Sequence, residues 1–461
     1  MPLYAGVYET NITPPPGVWM SGYALRPSGA LGVHDELYAR ALVLDDGRTR
    51  VALVVADLIA FPFAMSQEIR ERIGDALGIP AQAVMLHCTH THGGPYLGTF
   101  RTMGEADPAY TDVLTRKLIG AAAQAATSLV PVHLTYGETS AQIGVNRRHS
   151  GPNGRIAGHV DYSGVVIPTV QTLCVNGADG RTLALLCCHA CHPTTMEGTN
   201  LQFTGDWPGA AVAHLKARFR REGRENGIAE DALPFCLVGC CGDINPVRRR
   251  SWEAVAENGR QVADAAHTAR WNAHGRLEER LSATEVTLEL PMLPPPDDAT
   301  CRRLEKEWEQ TLERNRAEKT GEGWRRMAEG HLAWARECLR LNAEGSYART
   351  QPFAIQHLSL GGISLLGFPA EMFAQYALDF SAQSQRPVVA LGFTNGCWNY
   401  VPTTAEYARG GYEVEEAFKY YGTQMFAPEC EPLLREAVYA LLGLEDPDTI
   451  PYPLLAGQPH G

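Results

Sequence analysis

The chain has 461 residues, of which 45% are hydrophobic and 20% are charged; this ordinary globular composition excludes a disordered, collagen-like or fibrous protein. Asp and Glu outnumber Lys and Arg by 52 to 40, which gives a formal charge of −12, so no broad basic surface and no nucleic-acid partner are expected. Residues 1–17 contain no basic start followed by a long apolar run, and no apolar stretch approaches the ~20 residues that span a bilayer. We therefore expect a cytoplasmic protein with no membrane partner.

Helical and extended patterns alternate along most of the chain. This alternation predicts an α/β fold with a mixed β-sheet core flanked by helices and with functional residues in the loops at strand ends. Strands are predicted, in chain order, at residues 37–44, 51–59, 84–88, 132–136, 165–174, 183–188 and 235–238. Helices are predicted at residues 65–77 and 110–127, and a third from about Pro208, because proline suits a first helical turn.

Residues 297–341 differ from the rest of the chain because Arg, Glu, Lys, Trp and Leu recur at helical spacing around a break at Gly321 and Gly323. The pattern predicts a helical hairpin inserted into the α/β body. We interpret its charged faces as solvated surfaces, with a lid or an oligomer contact as the alternative. We expect one catalytic domain over residues 1–461 that contains this hairpin, and we leave self-association into a homo-oligomer open.

The chain returns to the earlier pattern after the hairpin. Residues 353–368 predict two paired strands that turn at Gly361 and Gly362, and residues 371–380 predict a helix. The residues after Pro451 are predicted to form a loose tail.

The densest polar cluster runs from Cys88 to Pro95 and contains His90 and His92, directly after a predicted apolar strand. Two histidines one residue apart on extended backbone point to the same side, as a metal ligand and a neighbour acting on bound water or substrate require. By itself the HxH spacing leaves two alternatives, a metal site and ordinary hydrogen-bonding loop histidines.

Twelve cysteines without an export signal are interpreted as reduced thiols, most simply as small buried residues. The run from Cys188 to His192 spells CxxCH, the attachment motif of c-type haem, although that attachment requires export. Cys188 and Cys191 could instead bind a structural zinc with Cys240 and Cys241, but the adjacent second pair is a poor match to a spaced CxxC. A nucleophilic role for Cys240 or Cys241 also stays open.

Several short stretches form a colinear set from the start of the chain to beyond residue 410. They are Asn11-Ile12-Thr13-Pro14, Met20-Ser21-Gly22-Tyr23, His34 with Ala39-Arg40-Ala41, Thr89-His90-Thr91-His92, Asn146-Arg147, His192-Pro193, Gly205-Asp206, Gly242-Asp243, Pro369-Ala370-Glu371, Asn395 with Tyr400-Val401, and Tyr412-Glu413. In this order they resemble the amino-terminal catalytic domain of the neutral (non-lysosomal) ceramidases, which are zinc-dependent amidases. Each stretch is modestly specific, and the set as a whole is strongly so.

The resemblance implies the fold of that catalytic domain, with zinc ligands at His90, His192, Glu371 and Tyr400. Two neutral imidazoles, a carboxylate and a phenol oxygen suit a borderline metal that keeps one position for water. The resemblance also implies that His92 lies beside this water, where it would relay protons or hydrogen-bond the substrate.

Further positions are expected to contact or orient the substrate. Arg147 matches the substrate-contacting arginine of the family and could hold a carboxylate or a carbonyl with two N–H donors. His34, Asp206 and Tyr412 are expected to bind the substrate by hydrogen bonding and stacking. Asp243 is expected to orient the ligand or water from behind the metal.

One position departs from the family pattern. Where the ceramidases carry a catalytic serine in Gly-Asp-x-Ser-Pro, this chain has Asn245, within Gly242-Asp243-Ile244-Asn245-Pro246. An amide side chain cannot be activated into a useful nucleophile, although it can donate a hydrogen bond to a developing oxyanion. Direct attack by activated water is the simplest replacement for the serine-assisted reaction.

A second departure concerns the substrate. The chain ends soon after the matching stretches, and no amphipathic membrane-docking stretch is evident. The hypothesis is therefore a zinc-dependent hydrolase that cleaves an amide (C–N) bond of a small polar, soluble substrate and is not a true ceramidase. The alternatives are an ester or lactone hydrolase with the same site, a metal-dependent lyase or epimerase acting on a sugar-like or hydroxy acid, and a zinc-containing binding protein.

Overall fold

The structure is a computed structural model that describes residues 2–273 and 275–444, without the side chain of Arg224. The predicted tail after Pro451 lies outside the described residues. The strands are β1 (Leu3–Asn11), β2 (Gly32–Val33), β3 (Tyr38–Asp45), β4 (Arg50–Ala56), β5 (Val84–Cys88), β6 (Val130–Ser140), β7 (Gly144–Asn146), β8 (His149–Ser150), β9 (Ile156–Gly158), β10 (Ile167–Gly177), β11 (Thr182–Ala190), β12 (Gln202–Phe203), β13 (Ile228–Val238), β14 (Ile244–Pro246), β15 (Leu281–Pro291), β16 (Thr350–Leu360), β17 (Ile363–Gly367), β18 (Glu371–Met372), β19 (Val388–Leu391) and β20 (Tyr400–Val401). The α-helices are α1 (Phe63–Leu77), α2 (Pro108–Thr127), α3 (Asp206–Glu222), α4 (Trp252–Asn272), α5 (Asp298–Glu318), α6 (Glu322–Glu344), α7 (Ala374–Gln383), α8 (Thr404–Arg409), α9 (Tyr412–Glu415), α10 (Ala417–Tyr421) and α11 (Cys430–Leu441).

The largest sheet has eight strands in the order β13-β11-β10-β6-β1-β3-β4-β5. Its middle strands pair antiparallel, while the outermost pairs, β11 with β13 and β4 with β5, are parallel. Along β3, Ala41 and Val43 face one apolar cluster and Leu42 and Leu44 face another. Because successive side chains on a strand point to opposite faces, this sheet must be covered on both sides.

Helices cover one face of the large sheet and a second sheet covers the other. The helical face contains buried Ile69 of α1, Leu118 of α2 and Leu215 of α3. The second sheet, β15-β16-β17-β19, packs on the opposite face through residues such as Leu360 and Val389. Helices α7 and α11 in turn cover the outer face of this second sheet. This arrangement confirms the predicted fold class, a mixed β-sheet core flanked by helices.

The large sheet curls until its two edge strands approach each other. In a flat sheet the edge strands β5 and β13, seven positions apart in the strand order, would be separated by about 34 Å. Instead, Nε2 of His87 in β5 accepts the backbone N–H of Val238 in β13 at 3.0 Å. Residues 391–395 after β19 fill the gap, with bridges from Leu391 to Gly239 and from Thr394 to His87. The curling brings the loops that follow β5 and β11 to the same place.

The predicted elements correspond to observed ones with one clear error. Every predicted strand and helix before the hairpin has a counterpart, and β5 matches its prediction at both ends. The helix predicted over residues 371–380 is wrong at its start, because Glu371 and Met372 form β18 and the helix begins at Ala374. The backbone of Glu371 pairs with Tyr400 in β20 instead of closing a helical turn. Strands β1 and β15 and helix α4 have no counterpart in the prediction.

Helices α5 and α6 correspond to the predicted hairpin. Helix α6 begins directly after Gly321, so Gly323 lies inside the helix and not at the break. The predicted turn at Gly361 and Gly362 joins β16 to β17. Within residues 2–273 and 275–444, no helix is both long and apolar enough to cross a lipid bilayer.

Candidate metal centre

His90 lies in the loop directly after β5, at the edge where the large sheet closes. Its φ of 57° is in the left-handed region, which a residue other than glycine adopts only when its surroundings impose it. The imidazole stacks on Phe393 with 3.7 Å between ring centroids, and its Nδ1 is 2.7 Å from the carbonyl oxygen of Ile59. These contacts fix the ring and its tautomer.

His192 follows β11 and meets His90 across the closed edge. Its Nδ1 is 3.2 Å from the carbonyl oxygen of Cys241, and its Nε2 is 3.1 Å from Nε2 of His90. A carbonyl oxygen only accepts hydrogen bonds, so each Nδ1 donates and each neutral ring presents an Nε2 lone pair. A hydrogen bond between the two Nε2 atoms would require an imidazolium, which burial disfavours, since it lowers the pKa of His90 to about 3. A cation that both lone pairs can bind fits this geometry.

Glu371 adds a carboxylate to the two imidazoles. Strands β18 and β20 pair in parallel with Glu371 directly opposite Tyr400. Oε2 of Glu371 is 3.7 Å from Nε2 of His90 and 3.5 Å from Nε2 of His192, and it has no hydrogen-bond partner among the described residues. Tyr421 donates a hydrogen bond to Oε1. Burial raises the pKa of Glu371 to about 7, so the ionised carboxylate needs a nearby positive charge.

His92 completes the cluster. Its Nδ1 is 3.2 Å from the carbonyl oxygen of Gly22, whereas its buried Nε2 has no partner in the described part of the chain. His90, His92 and His192 each offer an atom within 4.8 Å of the others, and burial lowers the pKa of all three imidazoles. Neutral imidazoles with converging lone pairs are what a metal ligand set requires. The cluster could therefore hold a metal ion, with His92 as a neighbour or a further ligand.

The loop around Gly22 holds His92 in position. Gly22 has a φ of 97°, and a Cβ placed on it would lie 2.5 Å from the His92 ring. The buried guanidinium of Arg26 donates to the backbone carbonyl oxygens of Ser21 and His92. Tyr23 lies with its ring centroid 5.1 Å from that of His92. The ring of His92 thus packs directly against the backbone of Gly22. This contact requires glycine, because any other residue would place a Cβ inside the space that the ring occupies.

Strands β7 and β14 pair beside the cluster and bring Arg147 and Asn245 together. Nε of Arg147 is 2.7 Å from Oε1 of Glu413, and its guanidinium lies 5.3 Å from the ring centroid of Tyr400. Oδ1 of Asn245 accepts hydrogen bonds from Nη1 of Arg147 and Oγ1 of Thr194, both at 3.3 Å. Because guanidinium only donates, these bonds assign the amide orientation. Nη2 of Arg147 is left buried without a partner among the described residues.

Asp243 and Asp206 both have their carboxylate oxygens occupied by the protein. Oδ1 of Asp243 accepts the backbone N–H of Ala374 at 2.8 Å, and Oδ2 accepts Nδ2 of Asn146 at 3.0 Å. Burial raises the pKa of Asp243 to about 6. Asp206 accepts the backbone N–H groups of Thr195 and Met196, in the loop after β11 that contains His192, and that of Trp207 in α3. Asp243 therefore joins the Asn245 loop to the start of α7, and Asp206 joins the His192 loop to the start of α3.

Two other residues expected to bind substrate differ in position. Tyr412 lies at the site, with its ring centroid 5.9 Å from that of Tyr400. The imidazole of His34 stacks on Trp252 at 3.6 Å between centroids, and its Nδ1 is 2.8 Å from Oδ2 of Asp35. These contacts connect His34 to the start of α4 and not to the histidine cluster.

The cysteines do not form a second ligand cluster. All twelve are buried and free, and in the described residues the one group with three ligand atoms within 4.8 Å of each other consists of histidines. The alternative of a structural zinc on Cys188, Cys191, Cys240 and Cys241 therefore has no support in the geometry. Burial raises the pKa of the Cys240 and Cys241 thiols, which disfavours the thiolate that a nucleophile requires.

Three residues that hold the site were missed by the sequence analysis as functional residues. They are Tyr421 on Glu371, Glu413 on Arg147, and Arg26 on the backbone of His92. Glu413 lies within one of the stretches that match the family, Tyr412-Glu413, so the resemblance could have identified it as a site residue. Nothing in the sequence pattern marks Tyr421 or Arg26, because Tyr421 is 50 positions from Glu371 and Arg26 is 66 positions from His92.

The chain was compared with known proteins. Residues 4–266 match the family described as neutral/alkaline non-lysosomal ceramidase, N-terminal. The neutral ceramidase of Pseudomonas aeruginosa is 23% identical, over 90% of this chain and 68% of that protein. The neutral ceramidase of Drosophila melanogaster is 26% identical, over 52% of this chain. That match covers only 36% of the Drosophila protein, so the chain spans little more than a third of this relative.

Solved structures support the same fold. The crystal structure of the Pseudomonas aeruginosa neutral ceramidase superposes with a TM-score of 0.69 at 20% identity, covering 95% of this chain and 73% of that one. A ceramidase complexed with C2 superposes with a TM-score of 0.70 at 19% identity, covering 96% and 76% of the two chains.

The fold and the site together define an α/β protein with a buried cluster of imidazole and carboxylate groups suited to a metal ion. The family match covers more than half of the chain. The chain belongs to the neutral/alkaline non-lysosomal ceramidase family, which confirms the resemblance found in the sequence.

Proposed function

We propose that this protein is a zinc-dependent hydrolase that cleaves an amide (C–N) bond of a small polar, water-soluble substrate, and that it is not a true ceramidase. The observation that carries the proposal is the convergence of two Nε2 lone pairs, 3.1 Å apart, with the unpartnered Oε2 of Glu371. Such an arrangement of neutral imidazoles and carboxylate is unfavourable in a buried site unless a cation occupies it. Membership of a family named for ceramidases, which hydrolyse an amide, supports the reaction class.

His90, His192, Glu371 and Tyr400 would hold the metal ion. Nitrogen and oxygen ligands in a set of this size suit zinc. When bound, zinc polarises a carbonyl group and makes water a nucleophile at neutral pH. The Nδ1 hydrogen bonds of the two histidines to backbone carbonyls would keep both rings in the ligating tautomer.

The chain's own residues would supply the rest of the chemistry. Nε2 of His92 is neutral and has no partner in the described residues, so it can accept a proton from attacking water and return it to the leaving nitrogen. Nη2 of Arg147 also lacks a described partner and can donate to the substrate carbonyl or carboxylate. Because Oδ1 of Asn245 accepts from Arg147 and Thr194, its Nδ2 is available to stabilise a developing oxyanion.

Asn245 is also the reason to propose a substrate other than ceramide. It stands where the resemblance implies a catalytic serine, and an amide cannot form a covalent acyl intermediate. The remaining donors around the cluster are polar groups that can orient a small hydrophilic amide. We further propose that the enzyme takes this substrate from water and not from a membrane surface.

Metal analysis of the purified protein tests the metal centre. Protein purified without added metal is expected to contain close to one equivalent of zinc, and His90→Ala and Glu371→Ala are each expected to lose most of it. His214→Ala is the matched control, because His214 pairs with Asp264 away from the cluster and its loss should leave the zinc content unchanged. Zinc that survives both ligand substitutions would refute the assignment.

A panel of small amides, esters and lactones tests the bond that is cleaved. Amide hydrolysis predicts that the acid product incorporates oxygen-18 from labelled water. Turnover confined to esters or lactones would contradict the proposed C–N bond. Solvent deuterium at carbon without net addition of water would instead indicate a lyase or epimerase.

A further inference from the structure

A cavity of about 710 Å³ lies beside the histidine cluster, a volume typical of small-molecule sites. Gly22 and Tyr23 line it on the side of His92, which they contact directly. Tyr412 lines it on the side of Tyr400. The cavity is thus bounded by residues that neighbour His92 on one side and Tyr400 on the other, so it adjoins the proposed metal centre.

Helix α6 of the inserted hairpin forms one wall of this cavity through Met327. The helix is held against the neighbouring loops by Arg326, which donates to the backbone carbonyl oxygens of Thr102, at 3.1 Å, and Arg26. Gly323 allows the contact, because a Cβ at this position would lie 2.3 Å from the carbonyl oxygen of Leu25. The hairpin is therefore part of the pocket as well as a charged surface.

The wall that α6 completes is apolar. Leu25, Met103, Leu201, Met327 and Tyr420 all line the cavity. Such a lining favours an aliphatic or aromatic group of the ligand, since removal of apolar surface from water stabilises the complex. This wall can therefore pack an apolar group of a ligand.

Arg249 brings a positive charge to the same cavity. Its Nε donates to the carbonyl oxygen of Thr194 at 3.0 Å. It forms no ion pair with any acidic side chain of the described residues. Glu197 is the carboxylate that lines the cavity, and it already pairs with Arg250 at 2.7 Å.

A second positive charge lies behind the same wall. The guanidinium of Arg26 is 1% exposed and donates to three backbone carbonyl oxygens. No carboxylate in the described part of the chain lies within ion-pair distance of it. The three carbonyl dipoles compensate this buried charge. Within the cavity itself the half-buried guanidinium of Arg249 is the group that can pair with an anionic part of a ligand.

We propose that the substrate is an amide that carries both a carboxylate and an apolar group, of the N-acyl amino acid class. Arg249 binds the carboxylate, and the wall completed by Met327 packs the apolar side chain, while the amide lies at the histidine cluster. Water adds across the C–N bond: a C–O bond forms on the acyl carbon, the C–N bond breaks, and the nitrogen leaves as a protonated amine. This substrate class rests on the amide hydrolysis proposed above. It specifies which functional groups the small soluble substrate carries, namely a carboxylate and an apolar side chain.

A matched pair of substrates tests the role of Arg249. N-acetylphenylalanine and N-acetylphenylalaninol share the amide and the aromatic group and differ in the carboxylate. The wild type is expected to have a kcat/KM at least tenfold higher for the acid, and Arg249→Gln should lose at least tenfold on the acid and less than threefold on the alcohol. Arg248→Gln is the matched control, since Arg248 lines a different cavity. Equal turnover of both substrates, or equal loss on both in Arg249→Gln, overturns the proposal.

A second pair of substrates tests the wall formed by α6. Met327→Trp narrows the cavity, so turnover of N-acetylphenylalanine should fall at least fivefold while N-acetylglycine changes less than twofold. Met327→Leu, which keeps the volume, should behave like the wild type. If Met327→Trp changes the turnover of both substrates by the same factor, α6 does not contact the side chain of the substrate, and this part of the proposal fails.

Calorimetric binding and turnover, both measured on the metal-loaded protein, separate failure of this proposal from failure of the proposed reaction. Binding of N-acetylphenylalanine that Arg249→Gln abolishes, without cleavage of any amide by the metal-loaded protein, would support the ligand class and refute amide hydrolysis. Cleavage of neutral amides without binding of the acid would refute the ligand class alone. Absence of both binding and cleavage would refute the two proposals together.

Discussion

The histidine cluster and the cavity beside it differ in how their side chains are held. Each of the three imidazoles has its Nδ1 on a backbone carbonyl oxygen, and His90 and His192 are about 1% exposed. The cavity is lined instead by loops and by one face of α6, and Arg249 and Met327 in it are only half-buried. Because the histidine cluster is preorganised, its chemistry can stay the same when residues of the cavity wall are changed. Changes in the loops and in the inserted helix can then alter which substrate binds. Substitutions in the two regions should therefore affect different kinetic constants.

The largest effect is expected from Glu371→Gln, which removes the negative charge from the cluster but keeps its shape. The substitution should lower kcat by about a thousandfold or more, since metal-assisted charge stabilisation is worth several kcal/mol. Turnover of the preferred amide together with metal content measures the effect. Glu278→Gln, at an exposed position paired with Arg386, should change neither quantity, and a Glu371→Gln variant with normal kcat would contradict the role of this carboxylate.

Asn245 is expected to give the next largest effect. Asn245→Ala removes the Nδ2 donor and should cost about 2.7–4 kcal/mol of transition-state stabilisation, roughly a hundredfold to a thousandfold in kcat. Asn245→Asp separates the donor from the acceptor role, because the carboxylate still accepts from Arg147 and Thr194 but cannot donate. Equal losses in both variants would support the donor role, whereas near-normal activity of Asn245→Asp would show that only the acceptor matters.

Gly22→Ala should disturb the cluster through His92. The new Cβ would lie 2.5 Å from the imidazole, and a displacement of about 1 Å can cost roughly a hundredfold in rate. We expect kcat to fall by about tenfold to a hundredfold. Gly17→Ala is the matched control, because Gly17 also has a positive φ, 99°, but open space around its Cβ position. Gly17→Ala should lower stability by roughly 1–2 kcal/mol through backbone strain and leave kcat unchanged; similar kcat values in both variants would mean that strain alone acts.

The smallest expected effect tests how the cavity wall is held. An alanine inside a helix normally stabilises it by about 0.5–1 kcal/mol relative to glycine, and Gly120→Ala in α2, with open space at its Cβ, should do so. Gly323→Ala should have the opposite sign, with a loss of roughly 1–3 kcal/mol and a raised KM, because its Cβ would meet the carbonyl oxygen of Leu25. Urea unfolding and KM measure the two effects. A stabilised Gly323→Ala variant would contradict the docking of α6.

The sequence pointed to the candidate ligand residues at strand ends more readily than to the residues that hydrogen-bond these ligands and fix their positions. His90 and His192 follow apolar strands that the pattern predicts, and the family resemblance implied Glu371 and Tyr400. The helix predicted from Glu371 was wrong because its backbone pairs with Tyr400, a contact 29 positions away that no local pattern reports. Tyr421 and Arg26 were missed for the same reason. His34 matched the family in sequence, yet its imidazole stacks on Trp252 away from the histidine cluster. Asp206 hydrogen-bonds no imidazole of the cluster within the described residues and instead supports the loop after His192.

By itself the sequence determined the alternation of strands and helices, the inserted hairpin, and which residue types carry the chemistry, because these depend on local periodicity and on side-chain identity. Tertiary structure alone decided that the loops after β5 and β11 meet. That contact requires the large sheet to curl and residues 391–395 to fill the gap between its edges. The curl accumulates from the twist between successive strands over the whole sheet, so no single segment encodes it. Tertiary structure likewise decided that α6 forms a wall of the cavity. The sequence of a helix can show which of its faces is apolar, but it does not show which part of the protein that face packs against.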